Sequence, residues 1–482
     1  MNVTIKHSYR RGEFHQFASS DRRFLYLVPA GAIFEIDDPA ARVIDRLGKG
    51  TASHQELMEE LAAAGMEAPD AHELIGELFG ARVIGSGEIA PTALANPPDD
   101  FPLQSLVMNI TNQCNLSCTY CYEFGQDKIA TPQGKPKYMD LATAKAAVDF
   151  LLKQSAGRKA IHITFFGGET LMNFPLLKDI VTYAKEKTAA EGRTVDFSLT
   201  TNATLLTPPI VAFLSENEIG VTVSMDGPAE LQDKRRVYKS GKGSYAVVEP
   251  RIRHLIANHR TRAITARVTL TDGVTDVVRI YRHLKDDLGF HEVGFAPVTS
   301  SSEADYAITG NDMDSVVAQF HALADEWLEY ALQGRMHGFT NVSDTLSELI
   351  QGVNKSHPCG AGLGLLGVGP SGDLTPCHRF ADADAHTLGH VNTGLDRAKQ
   401  SDFLTKGHIN AKYDCQTCWA RPLCAGGCHH EAFVRYGDTG HANLHYCDWI
   451  RDWTDKCLRI YGAVAAHNPG FLEKFAERKA LS

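Results

Sequence analysis

Ten of the eleven cysteines fall into two spaced groups, and no other feature constrains the chain as strongly. The first group is Cys114-x3-Cys118-x2-Cys121. The second runs Cys359, Cys377, Cys415-x2-Cys418-x5-Cys424-x3-Cys428 and Cys447, and Cys457 stands apart. An odd count in clustered spacings argues against a disulfide framework and for metal. The start, MNVTIKHSYRRGEFHQF, lacks the apolar run of a secretory signal, and no apolar stretch is long enough to span a bilayer. These features predict a cytoplasmic protein without membrane contact. The net charge of −10 makes nucleic acid a poor default partner. A length of 482 residues, 43% hydrophobic and 22% charged, suits a soluble chain of several domains.

Residues 1–90 read as a separate unit. RFLYLV (Arg23–Val28) is β-prone, and a helical pattern covers Asp38–Leu47. Ser53 and Glu56 have capping-box spacing before Leu57, Leu61 and Ala64. A third helix carries Leu74, Leu78 and Phe79 and precedes a short strand, ARVIG. Strand, helices and strand make a winged-helix pattern. Residues 91–104, with Pro91, Pro97 and Pro98, read as a linker.

Over 105–310 strands and helices alternate. The strands are LVMNIT, AIHITFF, VDFSLTT, GVTVSM, ITARVTLT and EVGFAPV. Amphipathic segments begin at the N-cap Asp140, at Asn173 and at Thr275. This α/β pattern predicts a partial (β/α)6 barrel of parallel strands, with ligands at the C-terminal strand ends. Residues 311–350 read as a helical connector, 351–460 as an irregular Cys-rich domain, and 461–482 as one C-terminal helix.

Three thiolates on the tight loop after the first strand suit three irons of a four-iron cubane, leaving the fourth iron open. Structural zinc is the weaker reading, because it takes four protein ligands. The triad, followed by Tyr122, resembles the signature of the radical S-adenosylmethionine (SAM) superfamily. The resemblance implies a [4Fe-4S] cluster on Cys114, Cys118 and Cys121 that chelates SAM. It implies cleavage of SAM to methionine and a hydrogen-abstracting 5′-deoxyadenosyl radical, the hard chemistry belonging to the cofactor. Around SAM it places Tyr122, Gly167, Gly168, Glu169, Thr201, Asn202 and Ser224. Glu169 pairs with the SAM amine in this reading, and either Arg236 or Arg267 holds the carboxylate. Asp226, at the fourth strand end, is the candidate base; a turn-forming Asp before Gly227-Pro228 is the alternative.

The second cysteine group resembles the SPASM extension of peptide-modifying radical SAM enzymes, which holds two auxiliary [4Fe-4S] clusters. The resemblance implies Cys415, Cys418, Cys424 and Cys447 on a distal cluster, and Cys359, Cys377 and Cys428 on a proximal one. The fourth proximal ligand is Cys457, an open site or a substrate thiolate. His378, His390, His429 and His430 are expected to be structural.

Residues 1–90 resemble the peptide-recognition element of ribosomal-peptide maturases, which takes a peptide as an added strand. The chain as a whole most resembles the maturases of quinohemoprotein amine dehydrogenase. That resemblance implies thioether bonds from Cys sulfur to the β- or γ-carbon of Asp or Glu in the dehydrogenase's small subunit. It implies a Cys-rich protein substrate and a flavodoxin or ferredoxin as electron donor. The alternative is a sulfatase-type maturase that converts Cys or Ser to formylglycine.

Overall fold

The computed structural model describes residues 8–87, 93–98, 100–131 and 133–476. The N-terminal unit comprises β1 (Arg10–Arg11), β2 (Phe14–Ser19), β3 (Arg22–Leu27), β4 (Ala32–Ile36), α1 (Asp38–Gly48), α2 (His54–Ala63), α3 (Ala68–Gly80) and β5 (Ile84–Gly85). β2, β3 and β4 form an antiparallel meander, and β1 pairs with β5. The Ser53–Glu56 capping box is formed at the start of α2. β2 and β4 are additions to the sequence reading, which found only the central strand of this sheet. The turn joining β2 to β3 is Ser20-Asp21, both at positive φ. Hairpin turns of this kind usually announce themselves with glycine, so the sequence hides this one.

Side chains alternate between the two faces of a strand, and both faces of β3 are buried. Leu25 and Leu27 pack into the unit's own core with Val43, Ile44, Leu57 and Ile75. Phe24 and Tyr26 point the other way and join the core of the main body.

The barrel follows as β6 (Ser105–Thr111), α4 (Leu141–Gln154), β7 (Ala160–Gly167), α5 (Phe174–Ala190), β8 (Thr194–Thr201), α6 (Pro208–Glu216), β9 (Gly220–Ser224), α7 (Ala229–Arg235), α8 (Tyr245–Asn258), β10 (Ile264–Leu270), α9 (Val277–Arg282) and β11 (Glu292–Pro297). The six strands are parallel and lie in chain order. All six match the strands read from sequence. Asp140 caps α4 through the Thr143 N–H.

The 311–350 segment is two helices, α10 (Gly310–Leu332) and α11 (Thr340–Ile350). The Cys-rich region then adds β12 (Leu365–Val368), parallel to β6, followed by antiparallel β13 (Asp373–Thr375), β14 (Gly389–His390) and β15 (Gly394–Leu395). The barrel sheet therefore continues into the Cys-rich region, making ten strands among the described residues. Helices α12 (Arg397–Gly407), α13 (Arg421–Cys424), α14 (His429–Tyr436), α15 (Cys447–His467) and α16 (Pro469–Ala476) complete the fold.

The expected single C-terminal helix is corrected to two. Proline disfavours helical backbone in the residue before it, and Asn468, at φ −149, breaks the chain before Pro469. Residues 477–482 lie outside the described residues. So do 91, 92 and 99 of the linker, whose Leu94 is held by Asn410 through two hydrogen bonds. Among the described residues no helix is long and apolar enough to cross a membrane.

Candidate active site and cluster-binding centres

The first three cysteines lie on the loop leaving β6 and face a cavity at the C-terminal strand ends. The loop is fixed by β7. Gly167 sits at φ +122, where a Cβ would lie 2.1 Å from the Thr111 carbonyl oxygen. A Cβ on Gly168 would lie 2.4 Å from the Gln113 oxygen. Both glycines are thus required by the approach of β7 to the cysteine loop, and both also line the cavity. The Glu169 N–H donates to the Gln113 oxygen at 2.8 Å and locks the two together.

The Glu169 carboxylate is buried and already engaged. It accepts from Thr201 Oγ1 (2.7 Å), the Asn202 N–H (2.7 Å) and the Leu171 N–H (3.1 Å). Burial raises its pKa against these donors. It also lines the cavity, so it joins the ends of β7 and β8 at the wall of the site. The Thr201 hydroxyl faces Glu169, not the open space. Asn202 Nδ2 donates to Asn115 Oδ1 at 3.1 Å and contacts Cys114 Sγ at 3.8 Å, tying β8 to the cysteine loop.

Asp226 is corrected from base to anchor. It is 0% exposed and does not line the cavity. Its Oδ2 accepts from Tyr120 Oη (2.6 Å) and Arg236 Nε (2.9 Å), and its Oδ1 from the Thr269 N–H (3.1 Å). A carboxylate holding three donors behind the wall is not placed to take a proton from a substrate. Arg236 lines the cavity beside Cys118. Burial opposes its charge, but Asp226, Tyr120 and Cys118 together outweigh burial and raise its pKa. Arg267 stands in register with Ser224 on the neighbouring strand, and both line the cavity. Tyr122 lines it too, with its hydroxyl buried and unpartnered.

Among the wall residues that escaped the sequence reading, two are charged. Arg379, from the Cys-rich region, donates to Thr299 Oγ1 at 2.8 Å and sits 5.0 Å over the Tyr122 ring. Its only sequence signal is its position two residues after Cys377. Glu123 is buried, and burial together with Asp382 pushes its pKa up to about 8.

The seven later cysteines sort into two centres. Cys415, Cys418, Cys424 and Cys447 ring one cavity, whose wall Cys428 also reaches. Cys359, Cys377 and Cys428 are electrostatic neighbours at the other centre. Lys412 lies between the centres, 3% exposed, and feels Cys415 and Cys424 of one and Cys359 and Cys428 of the other. Its Nζ donates to the Ala425 oxygen at 3.0 Å. Cys457 is in neither centre; it is sealed in the main core beside Thr345, and burial raises its pKa. Burial lowers the pKa values of His378, His429 and His430 to about 3, 4 and 2, so their rings are neutral.

Among the described residues no three His, Cys, Asp or Glu groups stand close enough for a single metal ion. Mononuclear zinc draws its sulfurs to about 2.3 Å from one atom. Thiols that ring an open space fit a polynuclear cluster better. Burial pushes the Cys114, Cys121 and Cys377 thiols up to about 12 and Cys415 to about 11, so iron must displace their protons. The donor sets that ring a cavity, the first trio and the distal four, therefore fit iron–sulfur clusters.

The model of the Radical SAM superfamily matches residues 108–284. An uncharacterised protein of Methanocaldococcus jannaschii is 37% identical over 142 residues, which are 30% of this chain and 45% of that one. The chain thus spans less than half of that relative. The serine-type anaerobic sulfatase-maturating enzyme of Klebsiella aerogenes is 26% identical over 69% of this chain and 81% of its own. Among solved structures, anSMEcpe with bound AdoMet and the Cp18Cys peptide superposes with a TM-score of 0.63 at 20% identity, covering 78% of this chain and 99% of that one. Streptococcus suis SuiB bound to precursor peptide SuiA gives 0.50 at 12% identity, covering 91% and 99%. Residues 108–284 thus match the Radical SAM superfamily, and most of the chain is similar to an anaerobic sulfatase-maturating enzyme.

Proposed function

We propose that the protein is a radical SAM maturase of a ribosomally made peptide or small protein, and that it joins a substrate Cys sulfur to a side-chain carbon of Asp or Glu. In this reading the small subunit of a quinohemoprotein amine dehydrogenase is the substrate class. With SAM bound, the first cluster supplies a hydrogen-abstracting radical. The chain's own residues do the rest. Arg267 and Arg236 bring fixed positive charge to the cavity, suited to the SAM carboxylate. Glu169, tied to β8, holds that wall rigid. Val298 and Thr299, together with the Tyr122 ring, narrow the cavity and limit water.

The observation that carries the bond type is the proximal trio. Cys359, Cys377 and Cys428 gather without a fourth cysteine, and Cys359 is exposed. That leaves a position for a substrate sulfur. Formylglycine formation is the second reading, favoured by the named sulfatase-maturating relatives. Against it stands the part of this chain that the anSMEcpe structure does not cover, since that structure spans 78% of it.

The test is mass spectrometry of the candidate Cys-rich subunit after anaerobic incubation with cluster-loaded protein, SAM and dithionite. Thioether formation removes two hydrogens per bond and leaves those thiols unable to alkylate. A hydrazide-reactive aldehyde in place of a Cys would establish the second reading instead. If 5′-deoxyadenosine accumulates and the subunit is unchanged, that substrate is wrong.

A further inference from the structure

The outer side of the first cysteine loop carries a surface that the proposed chemistry leaves unused. Three segments meet there. The Asn112 N–H donates to the Lys137 oxygen at 3.1 Å, and Tyr138 bridges to Thr111. The Ser117 N–H donates to the Val237 oxygen at 2.7 Å, and Leu116 bridges to Tyr238. The 237–243 hairpin and the 133–137 segment thus flank the loop. Cys114 lines the internal cavity and also this outer concavity, together with Lys137 and Lys239. A single loop separates the candidate cluster site from solvent.

Lys137, Lys239 and Lys242 are exposed. None of them forms an ion pair among the described residues. Lys135, beside them, is by contrast engaged by Asp373, Asp382 and Asp384. On a chain of net charge −10, three free lysines around one loop make a local positive field. Two large aromatic side chains are exposed at the same place: Phe124, at 39%, lines the concavity, and Tyr138, at 43%, adjoins Lys137. Aromatic anchors framed by complementary charge are the composition of a protein interface.

We infer that this face docks a small acidic one-electron carrier protein. The carrier gives up one electron and the oxidised first cluster gains it; no bond or proton moves. The inference rests on the radical SAM reading and specifies where its electron enters. Nucleic acid is the competing occupant, disfavoured by the aromatic pair and the overall acidity.

The test compares the wild type with the triple variant Lys137→Glu, Lys239→Glu, Lys242→Glu, both loaded with iron. SAM cleavage is measured with dithionite and, separately, with a reduced flavodoxin at low salt. The expected result is an unchanged rate with dithionite and a loss of roughly tenfold or more with flavodoxin, the range of electrostatic steering. Added salt should slow the wild type with flavodoxin and leave the variant indifferent. Equal rates with flavodoxin, or equal losses with both reductants, would overturn the inference. Retention of a labelled oligonucleotide by the wild type and not the variant would also overturn it. If the triple variant loads no iron, Lys137→Gln with Lys239→Gln takes its place, with a smaller loss expected. No SAM cleavage by the wild type with dithionite would instead defeat the radical SAM reading itself.

Discussion

Asp226 shows how neighbours decide what a strand-end carboxylate does. Position alone makes it a base; three donors and complete burial make it the counter-ion of Arg236. Asp226→Asn removes the charge and leaves a buried guanidinium unpaired. Breaking a buried pair this way costs about 3–5 kcal/mol. The denaturation midpoint should fall accordingly, and an unmoved midpoint would show that Arg236 has another support. Gly168 presents a steric case. An added methyl would press on the Gln113 backbone, which cannot swing aside as a side chain would. Overpacking of this kind costs about 1–3 kcal/mol. Gly168→Ala should shift the first cysteine loop, so the variant should load less iron at that centre while the two later centres fill.

At the scale of elements, α15 is the seam of the molecule. Its first residue, Cys447, belongs to the distal centre, where the helix N-terminus favours an anionic ligand. Two turns on, Asp455 meets His15 of β2 at 2.7 Å, and further along the helix Gly462 admits Ser19 and Phe24. The Arg459 oxygen accepts from the Ser19 hydroxyl at 2.7 Å. Burial alone would raise the Asp455 pKa, but hydrogen bonds from His15 and Arg459 pull it below its ordinary value. Its stabilising contribution is therefore present above the unfolded carboxylate pKa of about 3.9 and lost as pH falls through the lower folded value. Amide hydrogen exchange in β2 should quicken over that acidic window in the wild type. In Asp455→Asn it should be quicker already at neutral pH. Identical β2 protection in both proteins would mean that apolar packing alone holds the seam.

For the whole molecule, the cysteine sorting makes a count. Cys447→Ser and Cys359→Ser should each lose about one cluster's iron, about four atoms, from different centres. Cys457→Ser should lose none, because that thiol is packed among core residues. Iron analysis with Mössbauer spectroscopy checks this. Iron lost from Cys457→Ser would place that thiol on a cluster after all. The sheet explains why the centres can cooperate. β12 extends the barrel beside β6, so Arg379 comes to the mouth of the barrel instead of sitting in a detached domain. Arg421, at the wall of the distal cavity, reaches Glu13 of the N-terminal unit at 2.7 Å and joins the third part to the other two.

The six barrel strands, the α2 capping box and the Asp140 cap were legible in the chain. Each depends on residues a few positions apart, where periodicity and capping act locally. The Ser20-Asp21 hairpin was not, because nothing nearby marks its positive φ. Nor was the sealing of Asp226, which takes donors from the Cys loop, β10 and the end of α7. The engagement of Glu169, the exclusion of Cys457 and the arrival of Arg379 are of the same kind. Burial, and the pairing of charge that burial demands, are properties of neighbours brought together across tens to hundreds of residues, and local pattern carries no record of them.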